Sequence, residues 1–191
     1  DLEEASQTEE ITEGKVSMIL GGGKTNTIIT GDGTHAIIGA GQTNNITDQG
    51  GDNIIAGFGS HNRVSTQDGN DIIITAGKDN RVDTAAGDNI IFAAGIDRNG
   101  VKTGDGDNII LGAGINRSGI ETGDGENLIL NAANRSIIWT GNGDDTIVSI
   151  AIGNGSQDIN DASDNNTNAA SGDSHVYAHD GDNVITSLGY H

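Results

Sequence analysis

The sequence predicts an all-β fold, a parallel β-solenoid whose coils are 17–19 residues long. Three observations predict it. Similar segments recur at that interval along most of the chain, glycine accounts for 31 of the 191 residues, and aromatic side chains make up only 3% of the chain. Aromatic and large aliphatic side chains dominate conventional globular cores, so a chain this poor in aromatic residues favours a stacked repeat.

The repeat unit is clearest in residues 103–111, which read TGDGDNIIL. Residues 122–130 (TGDGENLIL) and 140–148 (TGNGDDTIV) repeat it. If the opening threonine is position 1, position 4 is glycine, position 6 is aspartate or asparagine, and position 8 is isoleucine. Looser copies open at Thr30, Thr47, Thr66 and Thr84, a degenerate copy at Thr12, and the last copy at Ala178.

Each coil is predicted to contain a turn, a short strand, a second turn and a second short strand. An aliphatic residue two positions before the next threonine marks the second strand, as at Val64, Val82 and Val101. Short β-branched strands cannot bury an apolar face alone, whereas coils stacked about 4.8 Å apart form a continuous isoleucine ladder. We therefore expect one inward column that contains Ile73, Ile91, Ile110 and Ile129.

The repeat also predicts the organisation of the chain. Residues 1–11 are expected to form an N-terminal cap or tail, and residues 12–148 the regular solenoid. Residues 149–177 are polar and irregular, which predicts a decorated turn, and residues 178–191 are expected to form the last turn and a C-terminal cap. Together these segments predict about nine or ten coils.

The repeat resembles the RTX (repeats-in-toxin) nonapeptide, Gly-Gly-x-Gly-x-Asp-x-aliphatic-x. Residues 140–148 match it at every position except the first glycine, and residues 66–74 carry its Gly69, Asp71 and Ile73. The resemblance implies a right-handed β-roll that binds calcium between successive turns through backbone carbonyls and position-6 carboxylates. It also implies a secreted or cell-surface location, because such modules occur on secreted bacterial enzymes, toxins and adhesins.

Candidate calcium ligands stand at positions 3 and 6 of the repeat. They are Asp32, Asp52, Asp68, Asp71, Asp105, Asn108, Asp124, Asn127 and Asp145. The formal net charge of −19 favours a cation, because carboxylates stacked every 4.8 Å or so repel one another without a counter-ion. Solvated turn residues are the simpler alternative, since aspartate and asparagine favour turns in any case.

Asparagine at position 6 is a departure from the RTX motif. Asn89, Asn108 and Asn127 occupy that position, and only Asp52 and Asp71 are expected to bring two family carboxylates together in adjacent coils. A hard cation prefers ionised oxygen ligands, so amides lower the expected affinity. A separate Asn-x-Val/Ile period, as in Asn62-x-Val64, also resembles the metal-free asparagine ladder of ryegrass antifreeze protein, in which stacked amides satisfy the turn backbone.

Positions 7 and 9 predict an exposed apolar stripe. If position 8 faces inward, its two neighbours face outward, because side chains alternate along a strand. The stripe covers about 300–400 Å², which suits self-association or docking on another protein. A cover formed by residues 150–175 is the alternative. The expected interface residues are Ile72, Ile74, Ile90, Phe92, Ile109, Leu111, Leu128 and Leu130.

These features favour a non-catalytic extracellular module with a structural or adhesive role. Two alternatives remain open, an accessory polysaccharide-binding module that uses Trp139 and the arginines, and an ice-binding solenoid that presents its threonines. The excess of acidic residues argues against nucleic acid as a partner, and no apolar run is long enough to span a membrane. An enzyme is the least expected class, because no nucleophile with a neighbouring base is apparent.

Overall fold

The computed structural model describes residues 6–11, 16–152, 158–161, 166–169 and 173–190. Within these ranges all regular secondary structure is β-strand. Seven long strands of 12–14 residues each form most of one coil, because each continues around one bend, and a short turn completes the coil. They are β2 (Ser17–Thr30), β3 (His35–Asp48), β4 (Ile54–Ser65), β5 (Ile72–Asp83), β6 (Ile90–Lys102), β7 (Ile109–Glu121) and β8 (Leu128–Trp139).

Shorter strands extend the stack at both ends. At the amino-terminal end, β1 (Ser6–Ile11) pairs in parallel with the second half of β2. At the other end, β9 (Thr146–Ile152) pairs with β8 and with β13 (Val184–Tyr190). The remaining strands are β10 (Asp158–Asp161), which pairs with β12, β11 (Asn166–Ala169), which pairs with β13, and β12 (Asp173–Ala178), which also pairs with β8.

Every pairing is parallel, and each coil is hydrogen-bonded to the next, as predicted for a parallel β-solenoid. The chain is thus all-β with coils of 18 or 19 residues. The irregular segment adds β10 and β11 to the carboxyl-terminal end of the stack rather than across its side. Seven complete coils lie within residues 17–139, fewer than the nine or ten expected, because β1 and β9–β13 form only parts of coils.

Two facing ladders of aliphatic side chains form the core. The predicted column is confirmed, since Ile73 pairs with Ile91, Ile91 with Ile110, and Ile110 with Ile129. Each of these side chains is fully buried. The second half of each coil contributes the opposing ladder, which contains Ile28, Ile46, Val64, Val82, Val101, Ile120 and Ile138. Each ladder is one side chain deep, so the core has little room for aromatic rings, in agreement with the low aromatic content.

Glycine at position 4 is required for both conformation and space. At Gly69 φ is +151°, a region that other L-residues rarely adopt, and a Cβ there would lie 2.2 Å from the carbonyl oxygen of Gly51. The same arrangement recurs at the position-4 glycine of the following coils. This glycine therefore sets how closely successive turns can stack.

In the copy predicted to open at Thr47, the observed register differs from the predicted register by one residue. Thr30 pairs with Asp48, so Asp48 lies in the buried position-1 column and Thr47 is exposed. The shift buries Asn53 and Ile55 and leaves their neighbours Asp52 and Ile54 exposed. It is favoured because it continues both inward ladders. The copy predicted to open at Thr12 lies outside the described residues.

Candidate functional site

The solenoid has a polar interior beneath each turn, formed by the position-6 side chains. Its members stack in one buried column, which we call the turn ladder: His35, Asn53, Asp71, Asn89, Asn108, Asn127, Asp145 and Asn183. In a typical step, the backbone N–H and the Nδ2 of Asn89 both donate to Oδ1 of Asn108, at 3.1 and 3.0 Å. The same Nδ2 donates to the carbonyl of Gly87 at 2.8 Å. The amides thus satisfy the turn backbone internally, as expected of an asparagine ladder.

A second amide ladder lies under the other bend. Asn26 Nδ2 donates to Asn44 Oδ1 at 2.7 Å, and Asn44 Nδ2 donates to Asn62 Oδ1 at 2.7 Å. The series continues through Asn80 to Asn99. From Asn44 to Asn99 each amide also donates to a bend carbonyl, for example Asn80 to Ala94 at 2.7 Å. The Asn-x-Val period of the sequence marks only Asn62, Asn80 and Asn99, and their interior role is visible only in the structure.

Two carboxylates interrupt the turn ladder, at Asp71 and Asp145. Asp71 Oδ1 accepts hydrogen bonds from the backbone N–H and Nδ2 of Asn53, at 2.9 and 3.1 Å. Its Oδ2 is buried with no hydrogen-bond partner, as is Oδ2 of Asp145. Burial raises the pKa of both carboxyl groups, and the nearby Thr66 and Thr140 hydroxyls, although outside full hydrogen-bonding geometry, partly offset the rise.

A third buried carboxylate, Asp48, lies in the position-1 column and is better satisfied. It accepts hydrogen bonds from the Thr30 hydroxyl, from the backbone N–H of Gly50 at 2.9 Å and from Asn53 Nδ2 at 2.8 Å. Burial nevertheless raises the pKa of Asp48. The one-residue shift in register places Asp48 in this column in place of the predicted Thr47.

Exposed carboxylates follow the outside of the same turns, and we call this surface the acidic turn edge. Asp105 Oδ1 accepts the backbone N–H of Asp124 at 2.9 Å, and Asp107 Oδ1 accepts that of Glu126 at 2.7 Å. These side chains bond the next coil and remain exposed. The acidic turn edge comprises Asp32, Asp52, Asp68, Asp88, Asp105, Asp107, Asp124, Glu126 and Asp144.

The structure divides the nine expected calcium ligands between two places. Asp71, Asn108, Asn127 and Asp145 lie in the turn ladder, where the two amide oxygens are already hydrogen-bonded. Asp32, Asp52, Asp68, Asp105 and Asp124 lie on the acidic turn edge. The expected pair of Asp52 and Asp71 is not in one column, because Asn53 is the neighbour of Asp71. Within the described residues no three His, Cys, Asp or Glu side chains converge as a metal cluster.

The turn ladder and the acidic turn edge therefore differ in how well they suit a calcium ion. The buried column offers one unpartnered carboxylate oxygen at Asp71 and another at Asp145, and three ladder positions separate these residues. The exposed edge offers carboxylates on successive coils, each of which keeps access to solvent. A hard cation would find its oxygen ligands on the acidic turn edge and not within the turn ladder.

The predicted apolar stripe is exposed, and we call it the apolar face. Ile72, Ile74, Phe92 and Leu130 are each 37–42% exposed, which is high for large apolar side chains in ordered strands. Ile109 and Leu128 are exposed to a similar degree, and Ile90 and Leu111 are half-buried. The alternative was that residues 150–175 cover this stripe. The described strands of that segment, β10 and β11, pair at the end of the stack instead.

The apolar face is ridged. The position-9 side chains Phe92, Leu111 and Leu130 stand beside a shallow groove of about 420 Å³ whose floor includes Ala94, Ala113 and other small residues. On the far side of these alanines, Ile96 and Ile115 project from the bend and are more than half exposed. A ridge of large side chains thus runs parallel to a groove of similar length.

The second half of each coil forms an opposite surface, the basic face. Its outward positions carry Arg63, Arg81, Arg98, Lys102, Arg117 and Arg135, which include every arginine of the chain. Arg81 Nε lies 2.7 Å from Asp83 Oδ2, Arg98 Nε lies 3.2 Å from Asp79 Oδ1, and Lys102 Nζ lies 2.5 Å from Glu121 Oε1. At its carboxyl-terminal end Trp139 stacks on Tyr177, with ring centroids 4.0 Å apart.

Comparison with protein-family models, with curated proteins and with solved structures finds no match for this chain. Among the residues that the structure describes, none forms a helix with the length and hydrophobicity needed to cross a membrane.

Proposed function

We propose that the protein is a non-catalytic interaction module of the extracellular space, in which the apolar face of one copy packs against the same face of a second copy. The observation that carries this proposal is the exposure of Ile72, Phe92 and Leu130 on consecutive and near-consecutive coils of the stack. Soluble monomers rarely present a contiguous apolar strip along a flat sheet, because it invites association.

The shape of the apolar face favours a second copy over an unrelated partner. Both the ridge at Leu111 and the groove over Ala113 repeat at the coil spacing, so two identical faces related by a two-fold axis can place each ridge in the other's groove. The same register then holds for every coil. An unrelated partner would need to share this spacing.

The area sets the expected strength. Two stripes would bury about 600–800 Å² in total, which gives gross stabilisation on the order of 15–20 kcal/mol at ~25 cal/mol/Å². Much of this is lost to association entropy and side-chain ordering, and the area is below that of standard stable complexes. We expect a dimer of weak to moderate affinity, suited to a module that is repeated or held at high local concentration.

Sedimentation equilibrium tests the interface. Phe92→Thr combined with Leu130→Thr should shift the protein toward the monomer, because it removes two ridge side chains and replaces them with a β-branched residue that suits strands. The matched control is Ile137→Thr, an equally exposed aliphatic residue on the basic face. A parent protein that stays monomeric at millimolar concentration would contradict the proposal, as would equal effects of the two changes.

We further propose that calcium binds along the acidic turn edge and stabilises the stack. The support is the repetition of carboxylates on successive coils, as at Asp105, Asp107 and Asp124, which repel one another unless neutralised. A cation bound only by the folded chain adds RT ln(1 + [L]/Kd), about 2.7 kcal/mol at a hundredfold excess over Kd.

Thermal unfolding in millimolar calcium, in millimolar magnesium and in chelator tests the calcium proposal. A rise of several degrees with calcium alone would support specific binding. Equal rises with both ions would indicate charge screening only, and an unchanged transition would show that the internal amide ladders suffice. The ice-binding alternative gains no such support, since the threonine column that includes Thr66, Thr84 and Thr103 is buried.

A further inference from the structure

The basic face contains a trough whose floor is made of glycine. Gly100 and Gly119 pair with each other at an outward position of adjacent coils. In the same column, the preceding coil carries Arg81 and the following coil carries Ile137. The trough has a volume of about 800 Å³ and follows the axis of the stack. Arg98 and Arg117 form one wall, and Lys102 and Glu121 form the other.

Neither floor glycine is explained by the fold. A Cβ at Gly119 would meet nothing within 4 Å, and one at Gly100 would meet only the Asn80 carbonyl oxygen at 3.8 Å. Neither residue is among those with positive φ. Glycine in a strand interior costs conformational entropy and offers no side chain to pack, so the fold alone would favour a β-branched residue at both positions. What these glycines provide is an open channel between two charged walls.

Charge is distributed unevenly between this trough and the rest of the chain. Six of the nine basic residues stand on the basic face, whereas three of the 28 acidic residues, Asp79, Asp83 and Glu121, line the trough. Arg63 and Arg117 have no ion pair within the described part of the chain and are exposed. In so acidic a protein, grouping the arginines here favours an anionic ligand.

We propose that the trough binds an extended acidic polysaccharide, with uronate carboxylates bound by the arginine wall. Arg98 and Arg117 repeat at the coil spacing of about 4.8 Å, which suits carboxylates borne at intervals along a stretched polymer. Guanidinium groups bind carboxylates bidentately. Asp83 and Glu121 on the opposite wall can accept hydrogen bonds from sugar hydroxyl groups, and the exposed Trp139, held by its stack on Tyr177, offers an apolar platform to a sugar ring.

The same features disfavour other polyanions. Nucleic acid carries about one charge per 1.7–3.4 Å, a density that the three trough acids and the acidic remainder of the chain would repel. A sparser polyanion with many hydroxyl groups uses both walls. This ligand lies on the face opposite the proposed dimer contact, so the inference goes beyond the proposed function and does not depend on it.

Isothermal titration of the full chain with a galacturonic acid hexamer, in chelator, tests the proposal. Arg117→Gln should weaken binding about tenfold or more, as expected for loss of a charge-assisted hydrogen bond. Gly119→Leu should abolish binding while leaving the melting temperature equal or higher, because a Cβ there meets nothing within 4 Å and the rest of the side chain occupies the trough. The control Lys78→Gln removes a basic residue outside the trough and should leave binding unchanged.

Three further ligands separate the alternatives. The fully methyl-esterified hexamer should bind at least tenfold more weakly, and equal binding would overturn the anionic assignment. Tighter binding of single-stranded oligothymidylate or of an oligoglutamate of equal charge would overturn the assignment to a sugar. Binding by Gly119→Leu at the parent affinity, with the fold intact by circular dichroism, would place any ligand elsewhere and refute the trough.

Discussion

Replacement of Asp71 by asparagine should raise the stability of the solenoid at neutral pH. Asp71 Oδ2 is buried without a hydrogen-bond partner, in a column where asparagine supplies a donor at the same place in the neighbouring coils. Asn89, for example, donates from Nδ2 both to the next ladder oxygen and to the carbonyl of its own turn. An asparagine at 71 can form the equivalent bonds to Asn89 Oδ1 and to the Gly69 carbonyl.

The size of the gain follows from these contacts. Two added hydrogen bonds contribute about 0.5–1.5 kcal/mol each, and leaving a buried polar atom unsatisfied costs about 1–3 kcal/mol. Asparagine would lose the favourable contact between the Asp71 carboxylate and the nearby Thr66 hydroxyl. We therefore expect the free energy of unfolding to rise by a net value of about 2 kcal/mol. For a chain of this length that corresponds to a rise in Tm of about 4–8 °C.

The gain should depend on pH with a definite sign. Burial raises the pKa of Asp71 above its ordinary 3.8, so the folded state holds the proton more tightly than the unfolded state. The penalty of the charged form is then largest at neutral pH, begins to fall as the pH drops below the folded pKa, and is gone below the ordinary value of 3.8. Asp71→Asn should therefore be stabilising at pH 7 and nearly neutral at about pH 3.

Denaturant unfolding of the full chain, followed by circular dichroism at both pH values in chelator, provides the measurement. The control is Asp88→Asn, which removes the same charge from the acidic turn edge and isolates the effect of reduced repulsion. Equal effects of the two substitutions, or a loss of stability for Asp71→Asn, would refute the ladder argument. A gain that turns into a loss when calcium is added would identify Asp71 as a calcium ligand instead.

Three further predictions concern the framework. Ile110→Ala should cost about 2–5 kcal/mol in denaturant unfolding, whereas Ile109→Ala on the apolar face should cost less than half as much, because its side chain is already 38% exposed. Gly69→Ala should destabilise by more than 3 kcal/mol, since it combines positive φ with a 2.2 Å clash against backbone; a loss below 1 kcal/mol would show that the turn can open. Asp107→Asn should raise Tm at low salt and have little effect at about 1 M salt, where surface charges are screened.

The sequence predicted the fold because the physical cause of the fold is periodic. An isoleucine that must be inward at one coil must be inward at every coil, so Ile73, Ile91 and Ile110 are sufficient to reveal the column. The exposure of Ile72 and Phe92 followed from strand alternation alone. These predictions needed no long-range information beyond the repeat.

The register error came from a local ambiguity. Asp52-Asn53 and Ile54-Ile55 are doublets, so either member could serve the turn and the core. The second ladder resolves the ambiguity, because its asparagines are 18 residues apart at Asn26, Asn44 and Asn62. That spacing was readable in the sequence and would have located Asp48.

The composition of the basic face could not be read in the same way. Coils of 18 and 19 residues differ by one residue near the bend, where the pairing of β5 with β6 is irregular between Gly77 and Asp79. Arg81 and Arg98 therefore stand in different columns, and Arg81 is aligned with Gly100 instead. Only the three-dimensional register shows that two glycines are aligned between two charged walls.

The side-chain amides of the second ladder share one direction along the rod. From Asn26 to Asn99 each side-chain amide donates toward the carboxyl-terminal end, and the first oxygen, Asn26 Oδ1, accepts nothing. The aligned amide dipoles add along the axis, but both ends of this ladder lie inside the stack, because β1 pairs over Asn26 and β7 follows Asn99. An amide turned the other way would set two donors or two oxygens against each other, so the five side chains keep one orientation as a unit, and a change at one of them is felt along the whole column.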